Sequence, residues 1–351
     1  MSRTPARRPA AGRAAPRSRA RTAGTRARRS RSAVLISHAD KVFWPDDGYT
    51  KGDLADYYRA VFPRLQPYVE DRLLTLERCP DGMRGQCFYQ REAPKGLPPG
   101  TPAQSVRDHT GATTYVVGGK LETQLALVNL GCIPVHTWLS RRRAPHKPDW
   151  LVFDIDPTSG AFADAALAAL LVKERLDALG LKSFPKTSGS RGMHIFVPLR
   201  PGPDNPAVLA FAEAFARILA DAHPKELTVA ARVRARRGRV YLDPFRNGFA
   251  QTVVAPLSVR RRPKAPISMP LDWSEVSPKL DPAQFNLGNY ARRLDEPDPW
   301  KDMFRHKQSL AAVMRAGRHA AASHGTKAGG RATLPRPRPD GTDRRHRPAL
   351  R

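Results

Sequence analysis

Between Thr50 and Leu65 the apolar positions keep a helical period. Leu54, Tyr57, Tyr58, Val61, Phe62 and Leu65 recur at i, i+3, i+4, i+7, i+8 and i+11, the apolar face of a helix of about four turns. Thr50 has the character of its N-cap, with Asp53 three residues on and Lys51 in the first turn. Short apolar runs then predict strands over 73–78 and 87–91, separated by the turn residues Pro80, Asp81 and Gly82. After a proline-rich loop at 94–102 come a predicted strand at 113–117 and a helix at 121–130 closed by Gly131. A strand containing His136, a basic loop at 141–147, a strand at 150–156 and an Ala/Leu helix over 161–179 ending at Gly180 follow. The second half repeats the theme, with strands at 183–186 and 193–199, a helix at 206–222, and strands at 240–243 and 251–256. Strands interspersed with helices predict an α+β fold with a mixed sheet. There are no heptads and no fixed-period repeat.

Composition marks off the ends. Residues 1–32 hold eleven Arg and no acidic residue, and from 317 onward Arg, Lys, Pro, Gly and His dominate. Neither stretch has enough apolar surface to fold, so the expected organisation is a folded domain over 33–316 between disordered basic tails at 1–32 and 317–351. Of the formal net charge of +28, the first 32 residues carry +11 and residues 305–351 carry +10, leaving +7 for the centre. Mobile cationic tails point to a polyanion such as nucleic acid, since each neutralised phosphate releases a counterion; a merely solubilising role is the alternative. No run approaches the ~18 apolar residues of a membrane span, and the Arg-rich start lacks the apolar stretch of a secretory signal. The expectation is a cytoplasmic, nucleoid-associated protein with no membrane contact. Cys79, Cys87 and Cys132 lack metal-ligand spacing and are expected to be packing residues, neither a zinc site nor a disulfide framework.

The candidate chemistry lies in Leu151-Val152-Phe153-Asp154-Ile155-Asp156-Pro157. On a strand, Leu151, Phe153 and Ile155 would enter the core while Asp154 and Asp156 share the other face, about 6–7 Å apart at Cα. Paired carboxylates repel unless a cation lies between them, and hard divalent ions take such oxygen ligands. Aspartates capping a following helix would give the same pattern. A second strand-end acid, Asp243, shifts the balance towards a metal site, since three acids on neighbouring strands can hold the ions of an in-line phosphoryl displacement. Between them, Thr187-Ser188-Gly189-Ser190-Arg191-Gly192-Met193-His194 forms a small-residue turn suited to phosphate. Arg246, Asn247 and Arg260 would extend a basic wall for a triphosphate; singly they are equally compatible with surface charge.

With these residues in view, the chain resembles the polymerase domain of bacterial DNA ligase D, a branch of the archaeo-eukaryotic primase superfamily. The likeness runs from about residue 35 to 315. It rests on Ser37 to Pro45, Thr50-Lys51, Arg78-Cys79-Pro80-Asp81-Gly82, Val135-His136-Thr137-Trp138, the Asp-Ile-Asp strand, Ser188 to His194 and Leu242 to Asn247. The resemblance implies an RRM-like catalytic core, Mn²⁺ or Mg²⁺ held by Asp154, Asp156 and Asp243, and a nucleoside triphosphate held by His136, Ser188, Arg191, His194, Arg246 and Arg260. It further implies a 5′-phosphate pocket containing Lys41 and Lys51, and stacking of template DNA on Phe88 and Tyr89, a role suited to aromatic faces. His38 and Glu77 depart from the family pattern, which has Asn and a basic residue there in some relatives. No Lys-x-Asp-Gly ligase motif occurs, so a standalone polymerase is expected, with Ku and a separate ATP-dependent ligase as partners in end joining or gap filling. The rival readings are a primase that starts chains without a primer, a two-metal nuclease, and a non-catalytic DNA-end scaffold.

Overall fold

The computed structural model of the chain describes Met1 and residues 34–108 and 111–315; the two basic tails expected from composition lie outside the described residues. Strands β1 (Val42–Trp44) and β2 (Tyr49–Thr50) form an antiparallel pair leading directly into helix α1 (Lys51–Val69). Thr50 and Asp53 form the expected capping box, and all six apolar positions picked out by periodicity are buried. The helix is longer than expected, 19 residues, continuing through Pro63 and Pro67 because Tyr68 and Val69 extend the buried face.

Strand β3 (Arg72–Arg78), β4 (Phe88–Gln90), the hairpin strands β5 (Ala103–Asp108) and β6 (Gly111–Val116), and helix α2 (Leu121–Asn129) follow. Next come β7 (Cys132–Arg141), β8 (Trp150–Pro157), α3 (Phe162–Ala178), β9 (Phe184–Thr187), β10 (Met193–Pro198) and α4 (Asn205–Ala222). The last part holds β11 (Leu227–Thr228), the short α5 (Val233–Arg236), β12 (Val240–Asp243), β13 (Thr252–Val254) and α6 (Tyr290–Asp295). The strand β5 was not expected; its alternating exposed and half-buried residues, Ala103 to Asp108, carry only one strong apolar side chain and so lack a core signal.

Two sheets position the site. One has the order β11-β12-β8-β10-β9, the other β13-β7-β3-β4. β8 is central in the first and antiparallel to both neighbours, while β11 and β12 are parallel, which makes the sheet mixed. Its two faces serve different ends. Leu151, Phe153 and Ile155 pack into the main core with Ala165, Ala169 and Val172 of α3 and Val208, Ala212 and Phe215 of α4. Each large side chain buried there contributes on the order of 2 kcal/mol. Trp150 and Val152 point the other way, into a second cluster with Phe196 and Trp300, and Asp154 and Asp156 continue that face. Among the described residues no helix is long and apolar enough to cross a membrane.

The cysteine expectation needs correction. Cys79 and Cys87 form a disulfide with a Cα separation of 4.4 Å, and only Cys132 is free and buried. Arg78 and Phe88 are register partners at the ends of β3 and β4, so the next residue outward on each strand faces the other. Spacing along the chain could not show this, because it depends on the β3–β4 register.

Candidate active site

Pairing of four strands sets a single row of functional groups across the sheet. Asp243 of β12 is opposite Asp154 of β8, Asp154 opposite His194 of β10, and His194 opposite Lys186 of β9. With strands ~4.8 Å apart the row is about 14 Å long. Asp156 lies two residues along β8, opposite Tyr241. The residues just beyond β12 are held by Asn247, whose side chain accepts from Val152 N–H at 2.9 Å and donates to Val152 C=O at 2.8 Å, substituting for the strand that has ended. That anchor aims Arg246 back over the acids: its Nε is 3.1 Å from Asp154 Oδ2 and 3.5 Å from Asp243 Oδ2.

This side of the sheet opens into a cleft of about 470 Å³ lined by Asp154, Asp156, Ser188, Arg191, His194, Arg246 and Arg260 from the expected set, with His136 and Tyr89 across from them. Asp243 is not in the lining. Its carboxylate accepts from Phe245 N–H at 2.9 Å and from the Tyr241 hydroxyl at 3.3 Å, and it stands behind Arg246. Among the described residues no three His, Cys, Asp or Glu side chains are already drawn together as a metal cage.

The electrostatics nonetheless suit a cation. Burial and the Asp154 charge push the Asp156 carboxyl up to about 6, and burial with the same neighbour raises Asp243. Burial would raise Asp154 too, but the His194 ring and the Arg246 guanidinium outweigh it and hold this carboxyl below the usual range. The single guanidinium bridging Asp154 and Asp243 takes the place of a counter-ion, and the oxygen-only donor set fits a hard divalent ion.

Around the acids, nitrogen groups are buried and held short of full charge. His194 Nε2 is 3.2 Å from Asp154 Oδ1, and its Nδ1 is 2.9 Å from Nζ of Lys186. Lys186 is fully buried and also donates to Ser268 Oγ. A donor at Nδ1 leaves the His194 proton on Nε2, facing the carboxylate. Burial and then Lys186 bring His194 down to about 4, while burial, Arg260, Arg246 and Lys186 bring His136 down to about 3. Both rings are therefore neutral at pH 7. The Nδ1 of His136 is sealed from solvent and has no hydrogen-bond partner among the described residues.

The turn over residues 187–194 is shaped by two glycines. Gly189 adopts φ +68°, and a Cβ there would lie 2.6 Å from Cγ of Arg260. At Gly192 a Cβ would come within 2.2 Å of the Ile155 carbonyl, so the turn presses directly on β8. Ser188 Oγ accepts from the N–H groups of Ser190 and Gly192 at 3.2 Å each, and Arg260 Nη1 donates to Ser188 C=O at 3.0 Å. Arg191 is exposed above Gly160.

Lys41 and Lys51 lie apart from this cleft, near one another. Lys51 N–H donates to Lys41 C=O at 2.8 Å. Lys51 is buried and its Nζ donates to Ser37 C=O at 2.8 Å, and burial together with the Lys41 charge lowers its pKa; Lys41 pairs with Asp81 at 2.7 Å. Phe88 and Tyr89 are 43% and 65% exposed, so neither ring belongs to the core. Glu77 is buried and paired with Arg261 at 2.6 Å.

Sequence reading missed three groups here. Arg236 and Arg262 line the cleft, and Arg236 lies over the Tyr241 ring at 4.1 Å. Lys186 completes the row. The Arg run at 232–239 was a usable signal for Arg236, whereas nothing in the sequence separates Lys186 from a surface lysine.

A mixed-sheet α+β core with strand-borne acids beside a small-residue turn and a basic wall is the architecture of a nucleotidyltransferase of the primase-polymerase class. The family model "LigD, primase-polymerase domain" matches residues 50–300, and the chain belongs to this family. The multifunctional non-homologous end joining protein LigD of Pseudomonas aeruginosa is 33% identical over 301 residues, 84% of this chain and 36% of that protein. The bifunctional non-homologous end joining protein LigD of Bacillus subtilis is 29% identical over 286 residues, 80% of this chain and 46% of that protein. The chain thus spans less than half the length of either relative. Among solved structures, the polymerase domain from Mycobacterium tuberculosis ligase D in complex with DNA superposes with a TM-score of 0.73 at 28% identity, covering 78% of this chain and 99% of that one.

Proposed function

We propose that the chain is a metal-dependent, DNA-directed nucleotidyltransferase that adds ribo- or deoxyribonucleotides at DNA ends or gaps bearing a 5′-phosphate, in non-homologous end joining or gap-filling repair. The observation that carries this is the row Asp243, Asp154, His194 beside a cleft walled by Arg191, Arg246 and Arg260. Asp154, Asp156 and Asp243 would hold Mn²⁺ or Mg²⁺, with Arg246 giving way as their counter-ion. An ion bound there supplies a more acidic primer 3′-hydroxyl and charge neutralisation at the reacting phosphate.

The chain's own groups bind and orient. Arg260, Arg191 and the Ser188 turn receive the triphosphate, the neutral His136 offers an N–H donor without adding charge, and His194, its own N–H turned to Asp154, orients that carboxylate. Phe88 and Tyr89 offer exposed aromatic faces to template bases. Lys41 and Lys51 receive the 5′-phosphate of the downstream strand. The fold unit we assign to this activity is 33–316, with the basic tails as non-specific DNA anchors. Ku and an ATP-dependent ligase activity are the partners such a reaction calls for, on the nucleoid in the cytoplasm.

The test is extension of a gapped duplex with Mn²⁺, with and without the 5′-phosphate, by wild type and Asp154→Ala. Wild type should extend, preferring the phosphorylated gap, and the variant should lose extension by at least about a thousandfold while still binding the duplex. Extension that survives in the variant overturns the carboxylate assignment.

A further inference from the structure

A second concave surface lies well away from the acids. The end of β7, the turn into β8 and the segment between β6 and α2 enclose a cleft of about 510 Å³. Six cationic side chains line it, Lys120, Arg141, Arg142, Arg143, Lys147 and Lys307, against three carboxylates. Two of those carboxylates are used in holding the wall together. Asp149 pairs with Arg141 at 2.9 Å and with the buried Arg72 at 2.7 Å, and Asp71 pairs with both Arg142 and Arg143. The third, Glu70, is exposed and enters no ion pair among the described residues, and neither do Lys120, Lys147 and Lys307. Three unpaired lysine charges therefore line one concavity against a single unpaired carboxylate, that of Glu70, which leaves a net positive surface.

Its position relative to α1 indicates what it would take. Lys51 is the first residue of that helix, and Glu70 and Asp71, at the rim of the cleft, follow its last. A helix of 19 residues puts the two basic sites ~28 Å apart, the length of roughly eight base-pair steps. On β7, Arg141 is five residues from His136, about 17 Å from the nucleotide cleft.

We infer that this cleft is a second DNA-backbone site, which holds the upstream, primer-bearing duplex arm while Lys41 and Lys51 hold the downstream 5′-phosphate. The inference rests on the polymerase reading for the direction of the DNA, and on the cleft's own charge for the contact. The arginines shape the wall; the three lysines supply the free cations. Lys147 reaches Gly202 C=O at 2.7 Å and Lys307 lies over the Phe304 ring at 5.7 Å, and Lys120 is exposed.

The experiment compares the full chain with its Lys120→Gln/Lys147→Gln/Lys307→Gln variant. Binding to 5′-phosphorylated gapped duplexes, with upstream arms of about 4 and about 16 base pairs, is followed by fluorescence anisotropy across a salt series, without nucleotide or metal. Wild type should bind the long arm more tightly. The variant should lose that advantage, and its log–log salt slope on the long arm should fall by about 2–3, at ~0.9 per phosphate contact. Binding to the short arm should be unchanged, and the basic tails contribute equally to both proteins.

An unchanged slope on the long arm, or an equal loss on both arms, overturns the proposal. Tripolyphosphate titrated in place of DNA covers a small-anion ligand: saturation that needs the three lysines, with no dependence on arm length, also overturns it. If the triple variant melts below wild type, Lys120→Glu alone, at an exposed position, carries the same comparison. Extension is assayed separately, so a wild type that binds in an arm-dependent way but never adds a nucleotide sinks the polymerase reading and leaves the cleft standing.

Discussion

Asp156 carries much of the electrostatic strain of the site. Its carboxyl rises from 3.8 to about 6, through burial first and the Asp154 charge second. A folded-state value above the unfolded one means that the folded protein binds this proton more tightly. The group's relative stabilisation is therefore complete below about 4 and is lost as the pH rises through about 6. In the metal-free protein at pH 7.5, Asp156→Asn should raise stability by about 1–2 kcal/mol, and the gain should vanish by pH 4, measured by urea denaturation at both values. Equal gains at both pH values would point to packing and not charge. A metal ion held as proposed works in the opposite sense. Added Mn²⁺ should stabilise wild type above pH 6 and progressively less below it, because the ion must displace the Asp156 proton. The pairing of Asp154 with Asp156 was legible from alternation alone. The inversion of their acidities was not, because it depends on His194 and Arg246, which arrive from 40 and 92 residues away.

At the scale of elements, the functional groups are arranged by strand register. β8 forms a continuous ladder with β10, and the turn joining β9 to β10 lies against β8 because Gly192 leaves room for the Ile155 carbonyl. Gly192→Ala would place its Cβ at 2.2 Å from that oxygen, so the turn must move outward. We expect a loss of about 2–3 kcal/mol in stability and a weakened KM for nucleotide, with DNA binding retained. Measured stability within about 0.5 kcal/mol of wild type would show that the turn can move away from β8 at little cost. Most of these elements could be recognised beforehand, because strong periodicity and cap residues are local signals: α1 announced itself through Thr50 and Asp53, and β12 matched its expected bounds, Val240–Asp243. The exceptions have equally physical causes. β5 is half-exposed along its length, and β1 and β2 are too short to show a period.

In the whole molecule, the two sheets are joined by a buried ion pair. Arg72 of β3 is fully buried, lies 3.4 Å over the Trp150 ring, and meets Asp149, just ahead of β8, at 2.7 Å. Asp149→Ala would leave that guanidinium enclosed without its counter-charge, and should cost about 3–5 kcal/mol in a single cooperative unfolding transition. A loss below about 1 kcal/mol would mean that water reaches Arg72. By itself the sequence determined the α+β class, the capped first helix, the acidic strand with its inward and outward faces, and the small-residue turn, since each is written in neighbours a few residues apart. Only the tertiary structure decided that Asp243, Asp154, His194 and Lys186 form one row, that Cys79 meets Cys87, and that Arg72 and Asp149 join the sheets. Those contacts depend on which strands pair and in what register, and pairing is chosen by the burial of the chain as a whole.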